Sequence, residues 1–269
     1  MKKNVFAIAL VSCVFAGCSD QMIVENMAVS PVVPQLDSAK LYLEKARWGD
    51  GEAYLKLAHF YHDGKGVKRD FVSMLCMAAI AQQYDAIGSL DEFMLTLPAE
   101  SDYKLAFDAL IRIYEKKYDE SRAISERLIA LGCAEGYAIK GILSIERGDS
   151  TEMKRNYELA AEHGSSFGEL LLCMKDWRNN IVMDMAKLLD LSSRIPLANV
   201  IIAAHYTEME KDGKNYDYMA SCFYLEADKS AFLGKKNVKW LVNYYRNGGR
   251  RWISDQNYDR IIKLAGDNE

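Results

Sequence analysis

The chain has 269 residues, a formal net charge of −4 at pH 7, and hydrophobic residues at half of its positions. Nucleic-acid binding needs a basic stripe that neutralises phosphates, so this acidic composition argues against nucleic acid as a partner. About 230 residues remain after the N-terminal segments described next, which is enough to bury a sizeable core.

The first residues have the pattern of an export signal. Lys2 and Lys3 precede an apolar stretch, residues 5–16, that is shorter than the ~20 residues needed to span a bilayer. The small residues Ala16 and Gly17 then stand directly before Cys18. The segment therefore predicts a cleaved signal rather than a spanning helix.

The position of Cys18 after two small residues resembles the lipobox of bacterial lipoproteins, although Phe15 stands where leucine is commoner. The resemblance implies that residues 1–17 are a signal peptide and that Cys18 becomes the acylated N-terminus. Each acyl chain adds about 0.8 kcal/mol per buried CH₂, so several would hold the protein on a membrane without a spanning helix. We expect an exported protein that is lipid-anchored to the bacterial cell envelope, at the outer membrane. The alternative is a plain cleaved signal with an incidental cysteine.

Residues 18–37 contain Pro31 and Pro34 with little helical periodicity, which predicts a flexible tether. A tether of this length spans about 25 Å on average, enough to clear a lipid headgroup layer. We place the folded domain at residues 38–269.

Four cysteines lie in this domain, and none forms a Cys-x-x-Cys pair: Cys76, Cys133, Cys173 and Cys222. The spacing gives no framework for zinc or for thioredoxin-like chemistry. An exported protein could pair them, but each lies among apolar helical residues, which favours small buried thiols.

The stretch YHDGKGVKRD, residues 61–70, could cradle a phosphate or turn a corner between two apolar runs. A phosphate loop needs a further glycine or Gly-Lys-Ser/Thr between a strand and a helix. Here Gly64 and Gly66 are followed by Val67, and both flanks have helical spacing, with apolar stripes at Ala53, Leu57, Ala58 and Tyr61 and at Met74, Met77, Ile80 and Ala81. The pattern predicts a helical hairpin with both glycines in the turn and Asp70 as the N-cap of the second helix.

The second helix of this hairpin is apolar nearly all round, since Ser73 is the only polar residue between Phe71 and Ala81. Such a helix must be covered on both sides, which one hairpin cannot do. Related patterns recur at intervals of about 30 to 40 residues and predict copies of the unit. They run through Ala39, Tyr42, Ala46 and Gly49; Ala106, Leu110, Ile111 and Tyr114; Tyr157, Ala160, Gly164 and Gly168; Ala198, Ile202, Ala203 and Tyr206; and Gly234, Val238, Leu241 and Tyr245.

The pattern Ala-x-x-x-Leu-small-x-x-Tyr-x-x-Gly-x-Gly-Val-x-x-Asp in residues 53–70 resembles the Sel1-like repeat, a relative of the tetratricopeptide repeat. Residues 39–49 and 157–168 share parts of it, whereas residues 86–101 fit no repeat. The resemblance implies an all-α fold, an α-solenoid of stacked antiparallel helix pairs whose concave face is built mainly by the first helix of each pair. It also implies an adaptor or scaffold that binds a protein partner, with no catalytic residue and no cofactor.

His59 and His62 lie three residues apart on one predicted helix, beside Asp63, and could begin a metal site. No third ligand follows at a familiar spacing, so exposed histidines on a helix face are favoured over a metal. No serine or cysteine stands in a recognised nucleophile motif, and we expect no catalysis. An envelope enzyme or metal protein stays the less favoured alternative.

The segment NVKWLVNYYRNGGRR near the C-terminus combines aromatic, asparagine and arginine side chains, which is the composition of interface anchors. If Leu241, Val242 and Tyr245 face inward, the side chains on the opposite side are candidates for binding a partner; these are Trp240, Asn243, Tyr244, Asn247 and Arg250. The alternative, which we favour, is a capping repeat whose aromatics cover the open end of the core. A glycan- or cell-wall-binding module is a further possibility, and it requires exposed stacking faces on Trp240 and Tyr244.

Overall fold

The computed structural model describes residues 35–173, 183–209, 216–247 and 249–265. Over these ranges the chain forms fourteen α-helices and a short 3₁₀ turn, Gly249–Trp252, and no strand. The helices are α1 Gln35–Ala46, α2 Gly51–Asp63, α3 Phe71–Gln83, α4 Leu90–Thr96, α5 Asp102–Tyr114, α6 Tyr118–Ala130, α7 Glu135–Glu146, α8 Ser150–Glu162, α9 Ser166–Leu171, α10 Met185–Ser192, α11 Pro196–Met209, α12 Asp217–Asp228, α13 Lys235–Arg246 and α14 Asp255–Leu264.

Helices that follow one another in the chain pack against one another, most extensively in the pairs α2 with α3, α7 with α8 and α11 with α12. This arrangement confirms the prediction of an all-α solenoid of helical repeats. Helix α1 begins at Gln35, inside the segment for which the sequence predicted a tether. The segment that fits no repeat contains the seven-residue helix α4, which packs on α3 between two regular pairs.

The turn between α2 and α3 has the predicted geometry. Gly64 and Gly66 adopt φ values of +74° and +69°, a region that other residues reach only with strain. The backbone N–H of Gly64 donates to the carbonyl of Phe60 at 2.8 Å and closes α2. Asp70 caps α3, because its carboxylate accepts a hydrogen bond of 2.6 Å from the backbone N–H of Ser73. The two glycines are therefore turn residues.

The side chains of helix α3 are buried nearly all round, as its composition predicted. Every side chain from Phe71 to Ala81 is buried, and Met74 and Met77 are fully inaccessible to solvent. Burying a large apolar side chain stabilises a fold by roughly 1.5–3 kcal/mol, so α3 contributes more apolar burial than an amphipathic helix of the same length. The hairpin of α2 and α3 therefore supplies a large part of the buried core.

The last helices pack back onto the first ones. Arg260 in α14 forms a buried ion pair with Asp228 at the end of α12 and donates from Nη1 to the carbonyl oxygen of Arg47 at 2.9 Å. The Arg47 guanidinium lies 3.5 Å from the same Asp228 carboxylate. We call these three residues the clasp, because they join the α1–α2 turn to the C-terminal repeats. The first and last repeats are therefore in direct contact, whereas in a linear repeat array each unit contacts only its neighbours.

A second long-range contact joins α3 to α9. The hydroxyl of Ser166 donates to the second carboxylate oxygen of Asp70, and the rings of Phe71 and Phe167 lie 6.0 Å apart. Asp70 therefore caps its own helix and holds a helix that begins almost a hundred residues later. The described part of the chain closes around α3, because α3 contacts both the middle and the end of the sequence.

The four cysteines of the folded domain are not in disulfides. Cys76, Cys133 and Cys173 are buried, as predicted, but Cys222 is exposed. Cys222 lies on the outer side of α12, beside the exposed Tyr218, so the apolar character of its neighbours in sequence was a poor guide to its burial.

None of the described helices is both long enough and apolar enough to span a membrane.

Candidate functional site

The YHDGKGVKRD turn is fixed to the next repeat. Arg69 donates from Nε to the carbonyl of His62 at 2.8 Å, forms a two-pronged ion pair with Asp102 at the start of α5, and lies 4.1 Å from the Tyr103 ring centroid. These contacts occupy the arginine that a bound anion would need. The local geometry is therefore that of a structural turn.

The two histidines of α2 do not form a site together. His62 is 7 % exposed, and its ring nitrogens lie 2.7 Å from Asp63 Oδ1 and 2.8 Å from Ser101 Oγ. The expectation of two exposed histidines was wrong: His62 is buried because Ser101 comes to it from the next repeat, and His59 is half-buried. His59 packs 5.1 Å from the Phe93 ring, and burial lowers its pKa. Across the described ranges, no group of three or more His, Cys, Asp or Glu side chains is arranged to hold a metal ion.

A buried thiol and a buried carboxylate meet at the N-terminus of α7. Cys133 donates from its thiol to the Glu135 carboxylate at 3.2 Å. Burial, together with this carboxylate, raises the pKa of the Cys133 thiol, and burial also raises the pKa of Glu135. A nucleophilic cysteine requires the opposite shift, since the thiolate is the reactive form. The Cys133 thiol is therefore protonated and packs at the start of α7, and it lacks the lowered pKa of a nucleophile.

The aromatic residues predicted near the C-terminus pack mainly on one another. Leu241, Val242 and Tyr245 face the core, as their spacing predicted. Trp240 and Tyr244 are half-buried and stack with ring centroids 5.6 Å apart and planes 10° apart. Tyr244 also lies against Gly249, where an added Cβ would come within 2.5 Å of its ring. These contacts cover ring faces on which a bound sugar would stack, and they favour the capping interpretation over a glycan site.

The polar members of the same predicted set are separated by the fold. Asn243 on α13 and Asn247 at its C-cap are exposed, so a partner can reach them. Arg250 is engaged within the chain: it donates to the carbonyl of Ile253 at 3.0 Å, pairs with Asp255, and lies 4.2 Å from the Tyr258 ring centroid. Arg250 therefore shapes the turn into α14, and the five candidates do not form one convergent surface.

A groove of about 500 Å³ lies instead between α3, α11 and the start of α13. Helix α3 contributes one stripe of its apolar surface, Cys76, Ala79 and Ile80, which are spaced three and four residues apart and so share a face. Leu197 and Val200 of α11 complete one wall, and Phe232 lies before α13. The floor of the groove is therefore apolar.

The mouth of the groove is polar and mainly basic. Gln82, Gln83 and Asn237 provide amide groups, and three lysines come from the first turns of α13, Lys235, Lys236 and Lys239. Among the described residues that line the groove, Asp85 is the single acidic one. Because the chain as a whole has a net charge of −4, this concentration of positive charge is local.

The mouth is held in place by contacts between α3 and α13. The backbone N–H of Lys235 donates to Oε1 of Gln83 at 2.8 Å, and this side-chain oxygen lies only 2.6 Å from where a Cβ would stand on Gly234. The ammonium of Lys235 lies 4.9 Å from the Tyr84 ring centroid and 3.6 Å from the Asp85 carboxylate. A side chain at Gly234 would therefore displace Gln83 and loosen this junction.

Comparison of the chain with protein-family models, curated proteins and solved structures gave no match. The similarity to the Sel1-like repeat accordingly depends on the residues quoted above.

The groove was not predicted from the sequence, although the run GKKNVK before Trp240 indicates a basic helix start. Cys18, the predicted lipidation site, lies outside the described residues.

Proposed function

We propose that this protein is a scaffold or adaptor that binds a segment of another protein in the groove between α3, α11 and α13, without catalysing a reaction. We further propose that it acts in the bacterial envelope as a Sel1-like lipoprotein held by an acylated Cys18. The observation that carries the binding proposal is the groove itself, an opening of about 500 Å³ with an apolar floor and a polar mouth.

The dimensions and chemistry of the groove support the binding of a protein segment. An apolar floor with few polar groups around it is the usual composition of a binding cleft, in which apolar contacts supply affinity and polar groups fix orientation. Val200 is half-buried and packs against the core, so it forms part of a firm wall. The lining residues come from the first complete hairpin and from the last repeats, so the groove depends on the closed arrangement of the solenoid.

A crosslinking pull-down from intact envelopes tests the proposal, with the full chain as bait. Val200→Lys places a long side chain at the wall of the groove and should abolish capture of the partner. Leu189→Lys is the matched control, since Leu189 is an exposed apolar residue on α10 that does not line the groove. Circular dichroism and thermal melting establish that both variants fold.

The outcomes separate the candidate functions. One or a few proteins captured by the wild type and by Leu189→Lys, but lost with Val200→Lys, would support an adaptor that uses the groove. The same proteins captured equally by both variants would refute the site. Glycan fragments recovered without a reproducible protein would instead support the cell-wall alternative.

A further inference from the structure

The lysines of the groove form a charged edge beside an apolar floor. Lys236 and Lys239 lie three residues apart on α13, a spacing that brings their side chains to one face of the helix. Both are exposed, and neither has an ion-pair partner among the residues that the structure describes. Lys235 differs from them, because Tyr84 and Asp85 already engage its ammonium group.

The start of α13 adds to this positive potential. Gly234 occupies the N-cap position and provides no side-chain hydrogen bond to the first turn. No acidic residue lies in this first turn, whereas most of the described helices have an Asp or Glu there or at the N-cap. The backbone dipole of the helix therefore acts in the same direction as the three lysines.

We propose that the occupant of the groove is an acidic segment of a partner protein, with Asp or Glu side chains beside an apolar side chain. This inference rests on the proposed function and specifies its partner. The apolar side chain would pack against the apolar lining residues Ile80, Val200 and Phe232. The carboxylates would face Lys236 and Lys239, whose separation of about 4.5 Å along the helix axis suits neighbouring acidic residues.

The charges predict how such a complex forms. Exposed ion pairs at the rim of an interface mainly steer association, and salt screens them over a distance of about 8–10 Å. The apolar contact at the floor would then supply most of the affinity that persists in salt. Binding should therefore weaken with added salt without being abolished.

Selection from a display library of random twelve-residue peptides on the immobilised full chain tests the inference. We expect recovered peptides to be rich in Asp and Glu beside an apolar residue, and we expect Lys236→Glu with Lys239→Glu to reduce their recovery about tenfold. Lys40→Glu is the matched control, because Lys40 is an exposed lysine of α1 outside the groove. Both lysine changes are at exposed sites and should leave the melting temperature unchanged.

Three results would overturn the inference, and they differ in what they say of the function. Peptides without acidic enrichment that are lost with Val200→Lys would refute the acidic partner while leaving a groove that binds protein. Recovery that neither Val200→Lys nor the double lysine variant changes would refute both. A dimer in solution that dissociates with the double lysine variant would show that a second copy of the chain occupies the groove.

Discussion

Replacing Arg260 by alanine should break the clasp and lower the free energy of unfolding by about 3 kcal/mol. Arg260 is 5 % exposed and Asp228 is 3 % exposed, and Arg260 Nη1 lies 3.0 Å from Oδ1 of Asp228. Removing one member of a buried pair leaves the other charge without compensation, which typically costs about 3–5 kcal/mol. Arg47 stays 3.5 Å from the Asp228 carboxylate and compensates in part, so we expect the lower end of this range.

Urea unfolding followed by far-UV circular dichroism measures the change. Arg122→Ala is the control, since Arg122 pairs with the exposed Asp119 one turn away on α6, and such a pair contributes under about 0.5 kcal/mol. Replacing the pair as Arg260→Met with Asp228→Leu should recover most of the loss, because the remaining charge of the clasp, Arg47, is partly exposed and still lies 3.6 Å from the Glu44 carboxylate. An Arg260→Ala protein within about 1 kcal/mol of the wild type would refute a buried, structural clasp.

Three further predictions address the turn, the buried acid and the anchor. Gly66→Val should destabilise the fold by about 1 kcal/mol or more, because Gly66 has a positive φ. Gly88→Val is the control and should cost less, since Gly88 is exposed and does not have a positive φ. Equal melting temperatures of the two variants would contradict the turn assignment. Burial raises the pKa of Glu135 in the folded state, so the stability it contributes relative to Glu135→Gln is present below the unfolded pKa and is lost as the pH rises through the folded pKa. Urea titrations in which the wild type gains stability over Glu135→Gln as the pH rises would contradict this. Cys18→Ser should move the protein from the membrane to the soluble fraction with its helical content unchanged, and continued membrane retention would remove the lipoprotein proposal.

The local parts of the fold could be predicted from the sequence because their signals are local. The turn needs glycines at Gly64 and Gly66 because both have a positive φ. Asp70 caps α3 by accepting a hydrogen bond from the backbone N–H of Ser73, three residues later. An apolar helix such as α3 must be covered by other helices. Each of these requirements concerns residues within one or two turns of one another. The repeat spacing then extends the same local information along the chain.

The closure of the chain could not be predicted in this way. Arg47 and Arg260 are separated by more than two hundred positions, and whether they meet depends on small rotations between successive helices that add up over the whole array. A charged residue in a helix is usually exposed, so nothing in the local sequence indicates that Asp228 and Arg260 are buried. His62 was missed for the same reason, because its partner Ser101 belongs to the next repeat.

The groove follows from this closure, which also explains why it escaped prediction. Its mouth carries Gln83 and Lys235, which lie 152 positions apart and are joined by a hydrogen bond of 2.8 Å. In an open solenoid the distance between such distant helices would vary with every intervening contact, whereas here direct contacts fix it. A groove held at one width does not have to be ordered by its ligand, so less of the binding free energy is lost on association. The buried charges of the clasp contribute to this arrangement by holding the first and last repeats together, so the clasp supports both the stability of the fold and the proposed binding of a partner.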